Sequence, residues 1–195
     1  MKKLIAFISF LSFCFLSVQA QDNKANAAKL NKQAEAAYNR VQTNTNRDSL
    51  TVYRAVVDGI TYSLKCEEYD RMPNRKGKVK TEFGEQNMLR VTTLYPMLID
   101  AGQFLLKNSY TKVEGQKALE LYLTARNNPM VIDIPDESGI AAYYLAYDYL
   151  KSRNFRMAEK YADLAMQYEE TAQASVEVKA ECMGAQMKNA EDSLQ

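Results

Sequence analysis

The sequence predicts an all-α fold in which helix–turn–helix units stack on one another. Helix breakers are scarce, with seven Gly and four Pro among 195 residues, so most of the chain is free to be helical. Apolar residues recur at steps of three and four, which is the spacing of one face of an α-helix. Part of this pattern returns after 34 residues, because a step of that length from Ala146 and Tyr149 reaches Ala180 and Met183. A period of 34 is typical of helical hairpins that bury their apolar faces against their neighbours.

Residues 1–20 have the pattern of a secretion signal. Two lysines precede an almost uninterrupted apolar run from Leu4 to Leu16, and Ala20 is a small residue at the expected cleavage position. The run is too short for a good membrane span. A lipid attached to Cys14 is the alternative, but the residues on either side of it are bulky where such sites favour small ones. We expect cleavage after Ala20 and a periplasmic or secreted protein that meets the membrane only through the removed segment.

A first pair of helices, followed by a basic loop, is predicted within residues 21–83. One apolar stripe predicts a helix at 24–41 and another predicts a helix at 50–69, with a polar turn at 42–47 between them. The stripes consist of Leu30, Ala34, Ala37 and Val41, and of Leu50, Tyr53, Val57, Ile60 and Leu64. The basic loop, residues 71–80, carries five positive charges. It is either a solvated connector or a contact for a phosphate or glycan.

Residues 84–195 are predicted to hold the repeating units. A helical pattern runs over 86–107 and contains Pro96, which predicts a kink or a break. A turn begins at Asn108 and ends at Gly115. The later helices are predicted at 116–126, 138–151, 154–168 and 172–190, with a loop at 127–139. The whole chain is therefore expected to contain about seven helices.

The composition argues against catalysis. The sequence has no His, which removes the commonest general base and metal ligand. It also has no phosphate-cradling glycine loop and no Cys/His cluster with metal-ligand spacing. We therefore expect no enzyme, no metal and no cofactor. A hydrolase that uses carboxylates alone, in the acidic segments 67–70 and 133–137, is a remote alternative.

The charge of the chain argues against nucleic acid as a partner. Of the 25 basic residues, two lie in the segment 1–20, so the cleaved chain has 23 basic and 24 acidic residues. A chain so near neutrality has no electrostatic reason to bind nucleic acid or anionic membranes.

Two cysteines, Cys66 and Cys182, remain after cleavage. An oxidising compartment would permit them to form a disulfide, whereas buried free thiols are also common in protein cores. Their spacing in the sequence leaves both alternatives open.

One complete unit can be followed between positions 146 and 165. Its markers are Ala146, Tyr149, Phe155, Ala158 and Ala165. The small residues let two helices approach closely, and the large ones fill the space beside them. This pattern resembles the tetratricopeptide repeat (TPR) family, whose units carry a small residue, an aromatic residue and two alanines at these spacings.

Two partial copies extend the resemblance over residues 88–190. The earlier copy consists of Gly102, Leu105, Ala118, Tyr122 and Ala125, with four extra residues in its turn. The later copy has only its first helix, marked by Ala180, and a polar tail typical of a terminal cap. The resemblance implies a short right-handed TPR-like solenoid of about two and a half units, completed by the N-terminal helical pair. The whole chain is also similar to secreted repeat proteins of Bacteroidota.

In the TPR family the first helices of successive units line a concave groove that binds a partner. The matching positions in this chain are Gln103, Lys107, Tyr143, Tyr147, Lys151, Glu177 and Glu181. Tyrosine suits such a surface because its ring gives area and its hydroxyl a directional bond, although Tyr143 and Tyr147 would serve equally well in the core. The resemblance therefore implies a non-catalytic periplasmic scaffold for a protein or peptide partner. A glycan-associated binding module of the cell envelope is the alternative.

Overall fold

The computed structural model describes residues 2–43, 48–74 and 76–192, with side chains described from Asn23 onwards except those of Ala190 and Asp192. These residues form eight α-helices and no strand, so the predicted all-α class is confirmed. The helices are α1 (Lys2–Thr43), α2 (Ser49–Asp70), α3 (Gly84–Leu94), α4 (Met97–Leu106), α5 (Lys112–Ala125), α6 (Ser138–Lys151), α7 (Phe155–Ala165) and α8 (Glu169–Asp192).

The segment predicted as a secretion signal, residues 1–20, is described only as the backbone of α1 from Lys2 onwards, so its role stays a prediction. The turn predicted at 42–47 falls mostly on residues 44–47, and one charge of the basic loop falls on Arg75. Both lie outside the described residues. Within the described ranges, no helix has both the length and the apolarity that crossing a membrane requires.

The chain divides into two compact units, Met1–Leu94 and Tyr95–Gln195. The first contains α1 to α3, and the second contains α4 to α8. The division falls at Pro96, where the helical pattern predicted at 86–107 is broken into α3 and α4. Proline has no N–H to donate, so it suits the start of α4 and not the interior of one continuous helix. Consequently α3 belongs to the first unit, whereas the sequence predicts a boundary after residue 83.

In the first unit α1 and α2 pack against each other, and α3 packs on both. Of the nine residues in the predicted stripes, Ala34, Ala37 and Ile60 are fully or almost fully buried, and the other six are half-buried. Asp48 caps the start of α2, where its Oδ1 accepts a hydrogen bond of 3.2 Å from the amide of Leu50. Such a cap satisfies one of the amides that the first turn of a helix leaves unpaired.

The basic loop after α2 is closed at its base by a buried carboxylate. Asp70 is fully buried and accepts hydrogen bonds from Lys24 Nζ at 2.8 Å and from the amides of Glu82 and Phe83 at 2.7 and 2.9 Å. Lys24 Nζ also donates to the backbone oxygen of Lys80 at 2.6 Å. The middle of α1, the end of α2 and the residues before α3 are therefore joined at one point.

In the second unit each helix packs on the next one along the chain; α4 also packs on α6, and α6 also packs on α8. Most of the residues predicted to pack the repeats are buried, namely Gly102, Ala118, Ala125, Ala146, Ala158 and Ala165. Tyr149 and Phe155 are half-buried. The small side chains therefore lie where the helices meet.

Gly115 lies inside α5, whereas the sequence predicts that it ends the preceding turn. α5 begins at Lys112, and Gly115 is buried against α4. A Cβ atom on Gly115 would lie 2.7 Å from the backbone nitrogen of Leu106 and 2.9 Å from the carbonyl oxygen of Gly102. Only glycine permits this approach of two backbones, so its presence reflects the helix crossing and not a turn.

Ala180 is exposed on α8, which corrects the packing role predicted for it. The buried side of α8 is built from Thr171, Ser175, Val178 and Cys182. The Thr171 hydroxyl donates a 2.7 Å hydrogen bond to the Ala165 carbonyl at the end of α7, which fixes the rotation of α8. Ala180 is nine residues from Thr171, about two and a half turns, and so it faces the other way. A step of 34 residues from Ala146 therefore misses the packing side of α8.

Cys66 and Cys182 are both free and buried, so they do not form the disulfide that the sequence leaves open. Cys66 Sγ donates to the carbonyl oxygen of Ala27 at 3.3 Å, which joins α2 to α1. Burial raises the pKa of both thiols. A raised pKa keeps a thiol protonated and unreactive, which fits residues of a packed core.

Candidate functional site

Three of the predicted groove residues form one row on α6, of which Tyr147 and Lys151 are exposed and Tyr143 is half-buried. Tyr143, Tyr147 and Lys151 follow at steps of four, which places them on one side of a helix. Tyr147 is 41% exposed, and Lys151 Nζ lies 4.2 Å from the centroid of its ring. At the other end of the row, the ring of Tyr143 stacks on the ring of Tyr147, with centroids 6.2 Å apart and 19° between the planes. The contact of the Lys151 cation with the Tyr147 ring holds the Tyr147 side chain in place without burying it.

A cleft of about 390 Å³ separates this row from α4, and we call it the first cleft. Its lining consists of Gln103, Leu106 and Lys107 of α4 and of Tyr144, Tyr147, Asp148 and Lys151 of α6, with Lys107 just past the helix end. Four of the predicted groove residues therefore meet in one place. They do so because α4 and α6 pack side by side in the second unit.

A second cleft of about 510 Å³ lies on the other side of the same row, towards α8. It is lined by Tyr147, Leu150, Lys151, Arg153, Phe155, Glu181, Gly184 and Ala185. Tyr147 and Lys151 thus belong to both clefts and form the ridge between them. A ligand long enough to cross this ridge would contact both clefts at once.

The first cleft is positively charged. Lys107 and Lys151 are exposed at its edge. Asp148, its acidic residue, already has partners, because its carboxylate lies 3.0 Å from Lys112 Nζ and accepts a 2.8 Å hydrogen bond from Gln116 Nε2. With that charge neutralised, two cations beside an aromatic wall favour an anionic or polar ligand group.

The second cleft combines charges of both signs with an apolar floor. Glu181 contributes a carboxylate, and Arg153 contributes a guanidinium that donates to Asn189 Oδ1 at 3.3 Å. Arg153 has a φ of 57°, which places it in the left-handed region, where non-glycine residues are uncommon. This conformation lets the chain reverse between α6 and α7. Phe155, at the start of α7, supplies the apolar part of the lining.

The remaining predicted groove residues lie outside the two linings. Tyr143 is half-buried and meets the first cleft only through its stacking on Tyr147. Glu177 is exposed on α8. Sequence reasoning missed Tyr144 and Asp148, although their spacing of four from each other on α6 was a usable signal. Sequence reasoning could not find Arg153, because nothing in the sequence shows that a residue other than glycine adopts the left-handed backbone conformation.

Each acidic segment singled out as a remote catalytic alternative contains a carboxylate with structural partners. Asp70 binds Lys24 and two backbone amides. Asp136 Oδ1 lies 3.5 Å from Arg126 Nε and accepts from the amide of Ser138 at 3.0 Å. Burial alone would raise the pKa of Asp136, but hydrogen bonds from Ser138 and the charge of Arg126 lower it below its usual value. In the described part of the chain, no group of three or more His, Cys, Asp and Glu side chains is placed to hold a metal ion.

Comparison of the chain with models of protein families, with curated proteins and with solved structures gives no match.

Proposed function

We propose that this protein is a non-catalytic scaffold that binds a protein or peptide segment along the ridge of α6. In this proposal α4 to α8 form two and a half TPR-like units, with α4, α6 and α8 as the first helices of successive units. The packing of α4 on α6 and of α6 on α8 supports that arrangement. The scaffold would act in the periplasm, following the signal predicted in residues 1–20.

The observation that carries the proposal is the sharing of Tyr147 and Lys151 by two clefts. A small molecule would occupy one cleft, whereas an extended peptide can lie across both. A half-exposed tyrosine beside a lysine is a suitable anchor, because aromatic and cationic residues carry much of the energy of protein interfaces. Lys107 and Lys151 further favour a segment with an acidic side chain at the first cleft.

The proposal is tested by placing a photoreactive amino acid at Gln103, inside the first cleft. Illumination in living cells should give covalent adducts with one or a few proteins, identified by mass spectrometry. The same amino acid at Tyr110 is the control, since Tyr110 is 93% exposed and lines neither cleft. If both positions gave the same adducts, or neither gave any, the cleft would not be the binding site.

Affinity measurements on the captured partner give a second test. Tyr147→Ala and Lys151→Glu should each weaken binding at least about tenfold, as expected when a central interface residue is removed. The matched controls are Tyr110→Ala and Lys117→Glu, because both residues are exposed and lie outside the clefts. Unchanged affinity in both ridge variants would refute the peptide-binding role.

A glycan-associated module is the second candidate, and the exposed ring of Tyr147 favours it. Sugars stack on aromatic rings, and the Tyr147 side chain is 41% exposed. A neutral glycan would depend on the ring and not on the cation. An oligosaccharide array in which binding is lost in Tyr147→Ala but kept in Lys151→Ala would select this candidate. A requirement for both residues selects the acidic peptide segment.

A further inference from the structure

α8 has a second apolar side that no part of the described chain covers. Val176, Met183 and Met187 are 50%, 52% and 66% exposed, and Ala180 between them is also exposed. Steps of four, three and four place these residues in one row, which we call the outer stripe. The buried side of α8, including Val178 and Cys182, points in another direction. Single exposed apolar residues are ordinary, but a row with helical spacing indicates a contact surface.

The order of residues in the outer stripe is complementary to itself. When the helix is reversed about a point between Glu181 and Cys182, Val176 falls on Met187 and Ala180 falls on Met183. A two-fold interface has this property, because each patch must fit an identical patch turned around. We infer that the outer stripe docks on the outer stripe of a second copy of this chain, with the two α8 helices antiparallel.

Side-chain size favours the antiparallel arrangement over a parallel one. In the antiparallel pair Ala180 meets Met183 of the partner subunit, so a small residue is always opposite a large one. In a parallel pair Ala180 would face its own copy and Met183 would face its own copy, which leaves a gap beside a crowded site. Alternating small and large residues pack the space between helices more evenly.

The residues beside the stripe raise no electrostatic barrier. Lys179 and Gln186 flank one edge, and Glu177 and Gly184 flank the other. In the antiparallel pair Lys179 lies near Gln186 of the partner subunit, and Glu177 lies near Gly184 of the partner subunit. No two like charges face each other across the interface, whereas like charges at such positions oppose pairing.

The length of the outer stripe limits how stable the dimer can be. From Val176 to Met187 the helix rises about 16 Å, so the contact is smaller than the roughly 1,600 Å² buried by a standard interface. We therefore expect a weak dimer that dissociates on dilution. The four stripe residues line neither cleft, whereas Gly184 at one edge of the stripe also lines the second cleft.

Sedimentation equilibrium on the purified protein, as processed by the cell that makes it, tests the inference. The wild type should shift from monomer to dimer with concentration, and Met183→Glu should weaken the dimer at least about tenfold by placing a charge in the apolar contact. Lys188→Gln is the control, since it changes the net charge by the same amount at an exposed site away from the stripe. Unchanged far-ultraviolet circular dichroism shows that Met183→Glu keeps its helices. A wild type that stays monomeric at about 1 mM, or a Met183→Glu variant that dimerises as well as wild type, overturns the inference.

Cysteine pairing tests the antiparallel geometry. Ala180→Cys and Met183→Cys chains, carrying different isotopes, are mixed and oxidised mildly. The mixed disulfide should form faster than the disulfide of either variant alone, because residues 180 and 183 are opposite each other only in the antiparallel pair. The native Cys66 and Cys182 are buried and do not compete. Equal or faster linking of Ala180→Cys to itself would contradict the proposed arrangement.

Discussion

Single polar side chains tie the helices of the second unit together. Glu120 of α5 accepts hydrogen bonds on one oxygen from the hydroxyls of Tyr149 and Tyr161, at 3.3 and 3.0 Å. The two rings are stacked with centroids 5.8 Å apart. One carboxylate therefore joins α5, α6 and α7. In the same way, the hydroxyls of Thr111 and Thr171 each donate at 2.7 Å to a carbonyl at the end of the preceding helix.

Removing the charge of Glu120 should make Tyr149 easier to ionise. Burial first, and then the negative charge of Glu120, raise the pKa of Tyr149 to about 12. In Glu120→Gln an amide oxygen still accepts a hydrogen bond, but the repulsion between carboxylate and phenolate is gone. We expect the pKa of Tyr149 to fall towards its ordinary value of 10.0. The rise of tyrosinate absorbance with pH measures this change, with Glu177→Gln on the surface of α8 as the control.

Among the acidic residues of the first unit, Asp70 should be the one whose replacement lowers the free energy of unfolding most. Asp70→Ala removes the charged partner of Lys24 and the acceptor of the Glu82 and Phe83 amides, so we expect a loss of about 3 kcal/mol in the free energy of unfolding. Glu68→Ala is the matched control, because it removes an exposed carboxylate from the same helix. Urea unfolding of both variants measures the difference. Equal losses would show that the buried contacts add nothing to stability.

The contribution of Asp70 also depends on pH. Burial tends to raise the pKa of this carboxyl, but hydrogen bonds from Lys24 and from two amides lower it below its ordinary value of 3.8. The unfolded carboxyl then takes up a proton at a higher pH than the folded one. The stabilisation is therefore complete above about pH 4 and is lost as the pH falls through the lowered pKa. The difference between Asp70→Ala and wild type should shrink over the same range.

Sequence patterns located most of the helices, because apolar spacing and scarce helix breakers act locally. The breaks at Pro96 and after Lys151 follow from residues next to them in the chain. The rotation of α8 is different, since it depends on Thr171 reaching Ala165 and on the packing of Gly139 against Tyr168 and Thr171. Contacts of that kind decide which side of a helix is buried, and a sequence period cannot reveal them.

Gly115→Ala measures how closely α4 and α5 cross. The added Cβ would meet the backbone at Gly102 and Leu106, and a backbone cannot move aside as a side chain can. We expect the variant to lose about 1–3 kcal/mol of unfolding free energy through overpacking. Gly184→Ala on α8 is the control, because nothing lies within 4 Å of its added Cβ. That change should stabilise the protein by roughly 0.5–1 kcal/mol, since alanine is the better helix former.

If Gly115→Ala were as stable as Gly184→Ala in urea unfolding, the close crossing would be absent. The same outcome would mean that Gly115 is not required for the packing of α4 on α5.

At the scale of the whole molecule, the four tyrosines with raised pKa values all lie in the second unit. They are Tyr95, Tyr122, Tyr149 and Tyr161, and burial is the largest cause in each case. Tyr95 and Tyr122 stack with centroids 4.4 Å apart, and the Tyr95 hydroxyl donates to the Tyr122 carbonyl at 2.8 Å. The Tyr122 hydroxyl in turn accepts from the amide of Glu137 at 3.0 Å. These rings connect helices with the loop before α6, and ionisation of the Tyr95 hydroxyl would remove the proton that it donates to the Tyr122 carbonyl.

The stability of the protein should therefore fall at alkaline pH. An unfolded tyrosine loses its proton near 10.0, whereas folded Tyr149 keeps it until about 12. Between these values the unfolded state binds fewer protons, so rising pH favours unfolding. The stabilisation is complete below about pH 10 and is lost as the pH rises through the raised values. Urea unfolding at a series of pH values measures the decline.

Tyr149→Phe separates this effect from the titration of lysines in the same pH range. The variant lacks one hydroxyl and one hydrogen bond to Glu120, so it should be less stable than wild type by about 1 kcal/mol at neutral pH. It has one ionisable group fewer, so its stability should fall less steeply above pH 10 and approach that of wild type. Tyr110→Phe, at an exposed position, should follow wild type throughout. Parallel curves for Tyr149→Phe and wild type would mean that Tyr149 contributes nothing to the alkaline loss, because only a hydroxyl whose pKa differs between the folded and unfolded states couples its proton to folding.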